Sequence, residues 1–284
     1  MMIALFLAVT VASTPAPTPR KILFVGNSFT FGALSPVMTY RKDSVTDLNG
    51  DGMGGVPALF KRFADEAGLR YDVSLETAAG QTLAWHLANR STVLDRSWDA
   101  VVLQQYSTLD PDRPGEVTTT IPAARSLAER FRRRNPGVDI SLVATWTRPD
   151  LTYPMGKRWS GQPVERMALD LRKADDTVRA EVPSIARVVP VGQAFTCAID
   201  RGLADPNPYD GVAPGKIDLW ATDHYHASTY GYYLEALTLF AAITRSDPRK
   251  LGGGEKAARE LGIAGATVSA LQGIAFRMAT FGRC

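Results

Sequence analysis

The sequence predicts a single α/β domain built on a parallel sheet of about five strands, with helices on both faces. Three observations lead there. Short apolar runs of strand length alternate with longer stretches of helical period, the pattern of repeated βαβ units. After residue 20 no linker and no internal repeat divides the chain. With 284 residues, 45% hydrophobic and 21% charged, the chain can bury a sizeable core.

Taken in order, Ile22–Val25 is an apolar strand that breaks into the polar turn Asn27-Ser28. The run from Pro57 to Ala67 has helical spacing and is stopped by Gly68. Tyr71–Leu75 gives a second strand, followed by a turn at Ala78-Ala79-Gly80 and a helix from about Leu83. Ala100–Gln104 is a third strand, and residues 118–133 form a helix. The basic run Arg130-Phe-Arg-Arg-Arg134 closes that helix before Asn135-Pro136-Gly137, where cations complement the helix dipole. Asp139–Thr145 is a fourth strand, residues 164–181 a helix, and Ala186–Val191 a weaker fifth strand. Tyr230–Ile243 is an apolar helix, and two helical segments follow Gly252-Gly253-Gly254. Right-handed crossovers distribute the helices over both faces. The long loops 30–56, 146–163 and 204–222 are rich in Gly, Pro and Asp, and loops beyond the carboxyl ends of parallel strands build binding sites.

Residues 1–19 stand apart. An apolar stretch from Met1 to Ser13 precedes a Thr/Pro-rich leader, and its length fits a signal-peptide core better than a membrane span. Val11, Ala12 and Ser13 offer a small-residue cleavage site, although no Lys or Arg precedes the apolar run. The expectation is an exported protein whose domain occupies residues 20–284, with no stable membrane insertion. A net charge of +3 without a basic stripe argues against a nucleic-acid partner. The two cysteines, Cys197 and Cys284, are either one disulfide or two free thiols.

The chemistry concentrates at two distant places. Ser28 follows the first strand directly, in Val25-Gly26-Asn27-Ser28, where a tight turn exposes it at the carboxyl edge of the sheet. Asp223 and His226 lie in Asp223-His-Tyr-His-Ala-Ser228, a spacing that lets one loop hold the carboxylate against the imidazole. A serine needs a base, and the base an orienting acid, to attack a carbonyl at neutral pH. His224 with Asp223 and His226 also supplies ligand types that zinc accepts, but no further His or Cys cluster completes a metal set.

With these blocks the chain resembles the SGNH (GDSL-like) hydrolase superfamily. The nucleophile block is matched by Gly26-Asn27-Ser28, the glycine after the second strand by Ala79-Gly80-Gln81, and the final Asp-x-x-His block by Asp223–His226. The resemblance covers most of residues 20–245, and its first and last blocks are the specific ones. It implies a flavodoxin-like, three-layer α/β/α fold and ester hydrolysis by Ser28, His226 and Asp223. The block after the third strand departs from the family's Gly-x-Asn-Asp and reads Leu103-Gln104-Gln105-Tyr106. An amide of Gln104 or Gln105 takes the missing asparagine's part in the oxyanion hole, Gln105 being the choice, beside the backbone N–H groups of Ser28 and Gly80.

Weaker candidates remain. Trp146 and Arg148 follow the fourth strand and are expected to line the cleft and hold substrate. Asp47, Asn49 and Asp51 imitate the opening of a calcium loop, but Ala58 stands at its closing position, so a plain loop is expected. His86 is expected to pack or cap a helix. The sequence therefore points to an esterase acting on small-molecule or carbohydrate esters with no metal or organic cofactor. The alternatives are an acyltransferase using the same triad and a non-catalytic carbohydrate-binding descendant.

Overall fold

A computed structural model describes residues 18–284; most of the expected signal segment and leader lies outside the described residues. The elements run β1 (Arg20–Gly26), α1 (Ser28–Phe31), β2 (Thr46–Asp47), α2 (Gly55–Glu66), β3 (Tyr71–Thr77), α3 (Leu83–Asn89), α4 (Ser91–Leu94), β4 (Ala100–Leu103), α5 (Thr120–Arg134), β5 (Asp139–Ala144), α6 (Glu165–Glu181), β6 (Ile185–Pro190), α7 (Val191–Asp200), α8 (Thr229–Thr244), α9 (Lys256–Glu260) and α10 (Gly265–Phe281).

The sheet has six strands in the order β2-β3-β1-β4-β5-β6, with every pair parallel. The expected five are all present. The sixth, β2, is a two-residue edge strand on β3, too short to register as a hydrophobic run.

The central strands β1 and β4 are apolar on both faces, as a sheet covered by two helical layers requires. Ile22, Phe24, Val73, Leu75 and Val102 pack with residues of α2, α7, α8, α9 and α10 in one core. Leu23, Val25, Val101, Leu103, Ile140 and Leu142 pack with α3, α4, α5 and part of α6 in the other. The result is a three-layer α/β/α sandwich. From β1 the chain runs outward to β3 and then crosses back to β4 on β1's other side. The carboxyl ends of β1 and β4 thus flank the point where strand order reverses, the usual crevice for ligands in open α/β sheets.

Helix α7 has no counterpart in the sequence reading. It starts directly at the end of β6, with Pro190 as its N-cap. Gly192 is required there, because a Cβ would lie 2.2 Å from the Thr145 carbonyl oxygen. Cys197 of α7 forms a disulfide with Cys284, just beyond α10, settling the pairing that the sequence left open. Among the described residues no helix is long and apolar enough to cross a membrane.

Candidate active site

The turn after β1 is held by four contacts centred on Gln104 and Asn27. The Asn27 N–H donates to Gln104 Oε1 at 2.9 Å, and Thr30 Oγ1 donates to the same oxygen at 3.0 Å. Asn27 Oδ1 accepts from the Phe29 N–H at 3.2 Å and so caps α1. Its Nδ2 donates to the Gln81 carbonyl at 3.1 Å, tying the β1 turn to the loop after β3. Gly26 must be glycine: a Cβ would meet Thr30 Oγ1 at 2.1 Å and Gln104 Oε1 at 2.7 Å. These bonds fix Ser28 at the first helical position. It is buried, and the single Tyr232 O–H is shared between its carbonyl at 3.3 Å and that of Ala33 at 3.1 Å.

The second half of the site is the loop before α8. His226 Nδ1 bonds Asp223 Oδ2 at 2.6 Å, while Asp223 Oδ1 accepts the backbone N–H groups of Tyr225 at 3.1 Å and His226 at 3.0 Å. Burial pushes the Asp223 carboxyl up, but the bonds from the His226 side chain and these two N–H groups outweigh it and hold the group below the ordinary carboxylate range. His226 Nε2, the other ring nitrogen, is buried with no partner. Ser228 anchors the loop's exit. Its Oγ accepts from the N–H groups of Tyr230 and Gly231 as the cap of α8 and donates to the Asp218 carbonyl at 2.7 Å.

The two halves meet through aromatic packing. The Phe29 ring, next to Ser28, lies 5.8 Å from the His226 ring and 5.3 Å from Tyr225. Trp146 stacks on Phe29 at 4.0 Å and on Phe195 at 5.0 Å, nearly parallel to both. This corrects the expectation that Trp146 holds substrate. It is fully buried, and its indole N–H donates to the Tyr225 carbonyl at 3.2 Å, so it supports the histidine loop from below.

Gln105 is tied into the loop after β4 at both ends of its amide. Its Oε1 accepts from the N–H groups of Leu83 and Tyr106, both at 2.8 Å, which fixes the amide's orientation. Its Nε2 then donates to Thr120 Oγ1 at 2.8 Å. Gln104 Nε2 donates to the Gln105 carbonyl. Both side chains brace the loop after β4, each through one of its two amide hydrogens. At φ +67° Gly80 needs no side chain, and a Cβ there would meet only open space, so its backbone is approachable.

Arg148 makes a bidentate pair with Asp150, Nε–Oδ1 at 3.0 Å and Nη2–Oδ2 at 2.6 Å, and Nη1 donates to Ser107 Oγ at 3.0 Å. Its guanidinium lies 3.7 Å from the centre of the Tyr225 ring, and that ring is 4.2 Å from His226. The arginine thus clamps the residue before His226, with its charge already matched by Asp150. Asn27, Asp150 and Tyr232 are the contributors that the sequence reading missed. Asn27 sat in view beside Ser28 but was read only as a turn former. Asp150 and Tyr232 gave no local signal. His86 is buried, with Nδ1 bonded to buried Glu76 Oε2 at 2.5 Å, in keeping with a packing role. Asp47 caps its own loop through the N–H groups of Asn49 and Met53. Among the described residues no group of three or more His, Cys, Asp or Glu side chains is placed to hold a metal ion.

The three-layer fold is shared with solved structures, among them one described as a GDSL-like lipase and a carbohydrate esterase. A DUF4886 family protein from Bacteroides uniformis is similar over 94% of this chain and 97% of its own, at 18% identity and a TM-score of 0.64. A structure described as a GDSL-like lipase from Parabacteroides merdae aligns over 80% of this chain and 95% of its own, at 20% identity and a TM-score of 0.55. A family 3 carbohydrate esterase from Clostridium thermocellum aligns over 82% and 99%, at 16% identity and a TM-score of 0.50. No protein-family model matches the sequence, and no curated protein does.

Proposed function

We propose that this protein is a serine hydrolase that cleaves carboxylic esters through Ser28, His226 and Asp223. One observation carries the reading: an imidazole fixed by a carboxylate at 2.6 Å, its other nitrogen unpaired, beside the turn that bears an N-terminal helical serine. Asp223 holds the Nδ1–H tautomer, so Nε2 is free to take the Ser28 proton. Ser28 Oγ attacks the ester carbonyl. The backbone N–H groups of Ser28 and Gly80 receive the developing oxyanion. His226 returns its proton to the leaving alcohol, then deprotonates the water that attacks the acyl-enzyme and gives back free acid and Ser28. The esterases among proteins of this fold support the same chemistry. Acetyl esters of carbohydrates are the proposed natural substrates. Export to an oxidising compartment is proposed as well, supported by the Cys197–Cys284 disulfide.

The test is release of p-nitrophenol from p-nitrophenyl acetate by the wild type and by Ser28→Ala. A burst followed by steady turnover, lost in the variant, is expected. Equal rates in both would refute the reading.

A further inference from the structure

Against His224, two residues before His226, lies an exposed aromatic ring that the hydrolytic steps do not use. Tyr209 is 46% exposed, unusual for an aromatic ring in this protein. Its ring lies 4.1 Å from that of His224 and 5.8 Å from that of Tyr153. The loop behind it is tied down at several points. Asp205 accepts from the N–H groups of Asn207 at 3.1 Å and Ala213 at 2.9 Å. Asn207 Oδ1 accepts the Tyr209 N–H at 3.2 Å, and Tyr153 Oη donates to the Pro206 carbonyl at 2.7 Å. The exposed ring therefore sits on a fixed mount.

His224 is held against it at a conformational cost. Its φ is +55°, in the left-handed region that a side-chain-bearing residue rarely adopts. The Asp150 N–H bonds its carbonyl at 3.1 Å, and its own N–H bonds the Ala221 carbonyl at 2.9 Å. Within Asp223–His226, this conformation turns one imidazole to Asp223 and the other to Tyr209.

We propose that Tyr209 and His224 form a stacking subsite for a pyranose ring in the alcohol portion of the substrate; the proposal rests on the ester-hydrolase reading above. The chemistry selects a sugar over an acyl chain. A lone exposed ring covers one face of a ligand, which suits a pyranose, whose C–H face is apolar and whose rim is hydroxylated. Polar groups beside the platform suit that rim: the Asp210 carboxylate, which accepts from Asn207 Nδ2 at 2.7 Å, and the second amide hydrogen of Asn207. A fatty chain gains little at such an open, polar-edged place.

The experiment has two arms. In the first, kcat/KM is measured for mono-O-acetylated methyl glucopyranoside and xylopyranoside and for ethyl acetate, which has no ring to stack. Tyr209→Ala is expected to lower the ratio of sugar ester to ethyl acetate roughly three- to tenfold, with Tyr209→Phe restoring it. Phe281→Ala, an exposed ring at the far end of the chain, serves as the control. An unchanged ratio overturns the proposal. In the second arm, the same sugar esters are titrated into Ser28→Ala and Ser28→Ala/Tyr209→Ala by calorimetry or NMR. Weaker binding to the double variant supports the subsite even if the wild type proves inactive, which would sink the hydrolase reading alone. Equal binding, or no binding of either sugar, overturns the subsite.

Discussion

Replacing Asp223 with asparagine should disable the protein without unfolding it, and the structure says how. Asp223 Oδ1 accepts two backbone N–H groups, from Tyr225 and His226, while Oδ2 faces His226 Nδ1. In Asp223→Asn the amide oxygen must keep the Oδ1 place, because only an acceptor satisfies those two donors. The NH2 group then takes the Oδ2 place and points a donor at Nδ1. The imidazole responds by moving its proton to Nε2, the nitrogen that should receive the Ser28 proton. Inverting the tautomer of a triad histidine costs about 10⁴-fold in kcat in a serine protease; at about 1.36 kcal/mol per decade this is roughly 5.4 kcal/mol of barrier. The assay is kcat on p-nitrophenyl acetate near pH 7.5, with circular dichroism to check folding. A well-folded Asp223→Asn that loses less than about tenfold in kcat would refute this account of the pair.

Other outcomes follow from the same structure. Asp175 and Glu235 are wholly buried, and burial pushes both carboxyls well above their ordinary values. Their protonated forms suit the fold, so their contribution is intact below the unfolded carboxyl range and is lost as pH rises through the folded values. Glu235→Gln and Asp175→Asn should therefore each raise stability at pH 8, with little change at pH 4, read as melting temperature against pH. The Cys197–Cys284 bond closes a separation of 87 residues; on chain-entropy grounds Cys284→Ser should cost about 4–5 kcal/mol and lower the melting point by roughly 10 °C. Trp146→Leu should cost about 3 kcal/mol of stability, seen in denaturant melts, with KM for p-nitrophenyl acetate nearly unchanged. A rise in KM at unaltered stability would return Trp146 to the substrate wall.

The sheet was legible because its strands are buried on both faces and therefore read as bare apolar runs, as in Ile22–Val25 and Ala100–Leu103. Helix α7 was not. Val191, Thr196 and Ile199 carry weak helix propensity, Gly192 weaker still, and no loop separates the helix from β6. Packing of Phe195 and Ala198 into the core decides its state. In the site, the Asp223–His226 spacing was readable since one short loop determines it. The contacts of Gln105 and Trp146 were not readable because their partners lie far along the chain. Thr120 and Leu83 engage the Gln105 amide, and Phe29 and Phe195 enclose the Trp146 ring. Residue type alone suggested a donor and a stacking surface, whereas the tertiary contacts bury the Trp146 ring and engage one hydrogen of the Gln105 amide.

The central claim is that Ser28 is a nucleophile activated by His226. Incubation with a fluorophosphonate, followed by peptide mass spectrometry, tests it directly. The account predicts one stoichiometric adduct on Ser28, formed far more slowly in His226→Asn. An adduct on another residue, or equal labelling of Ser28 in both proteins, would contradict it.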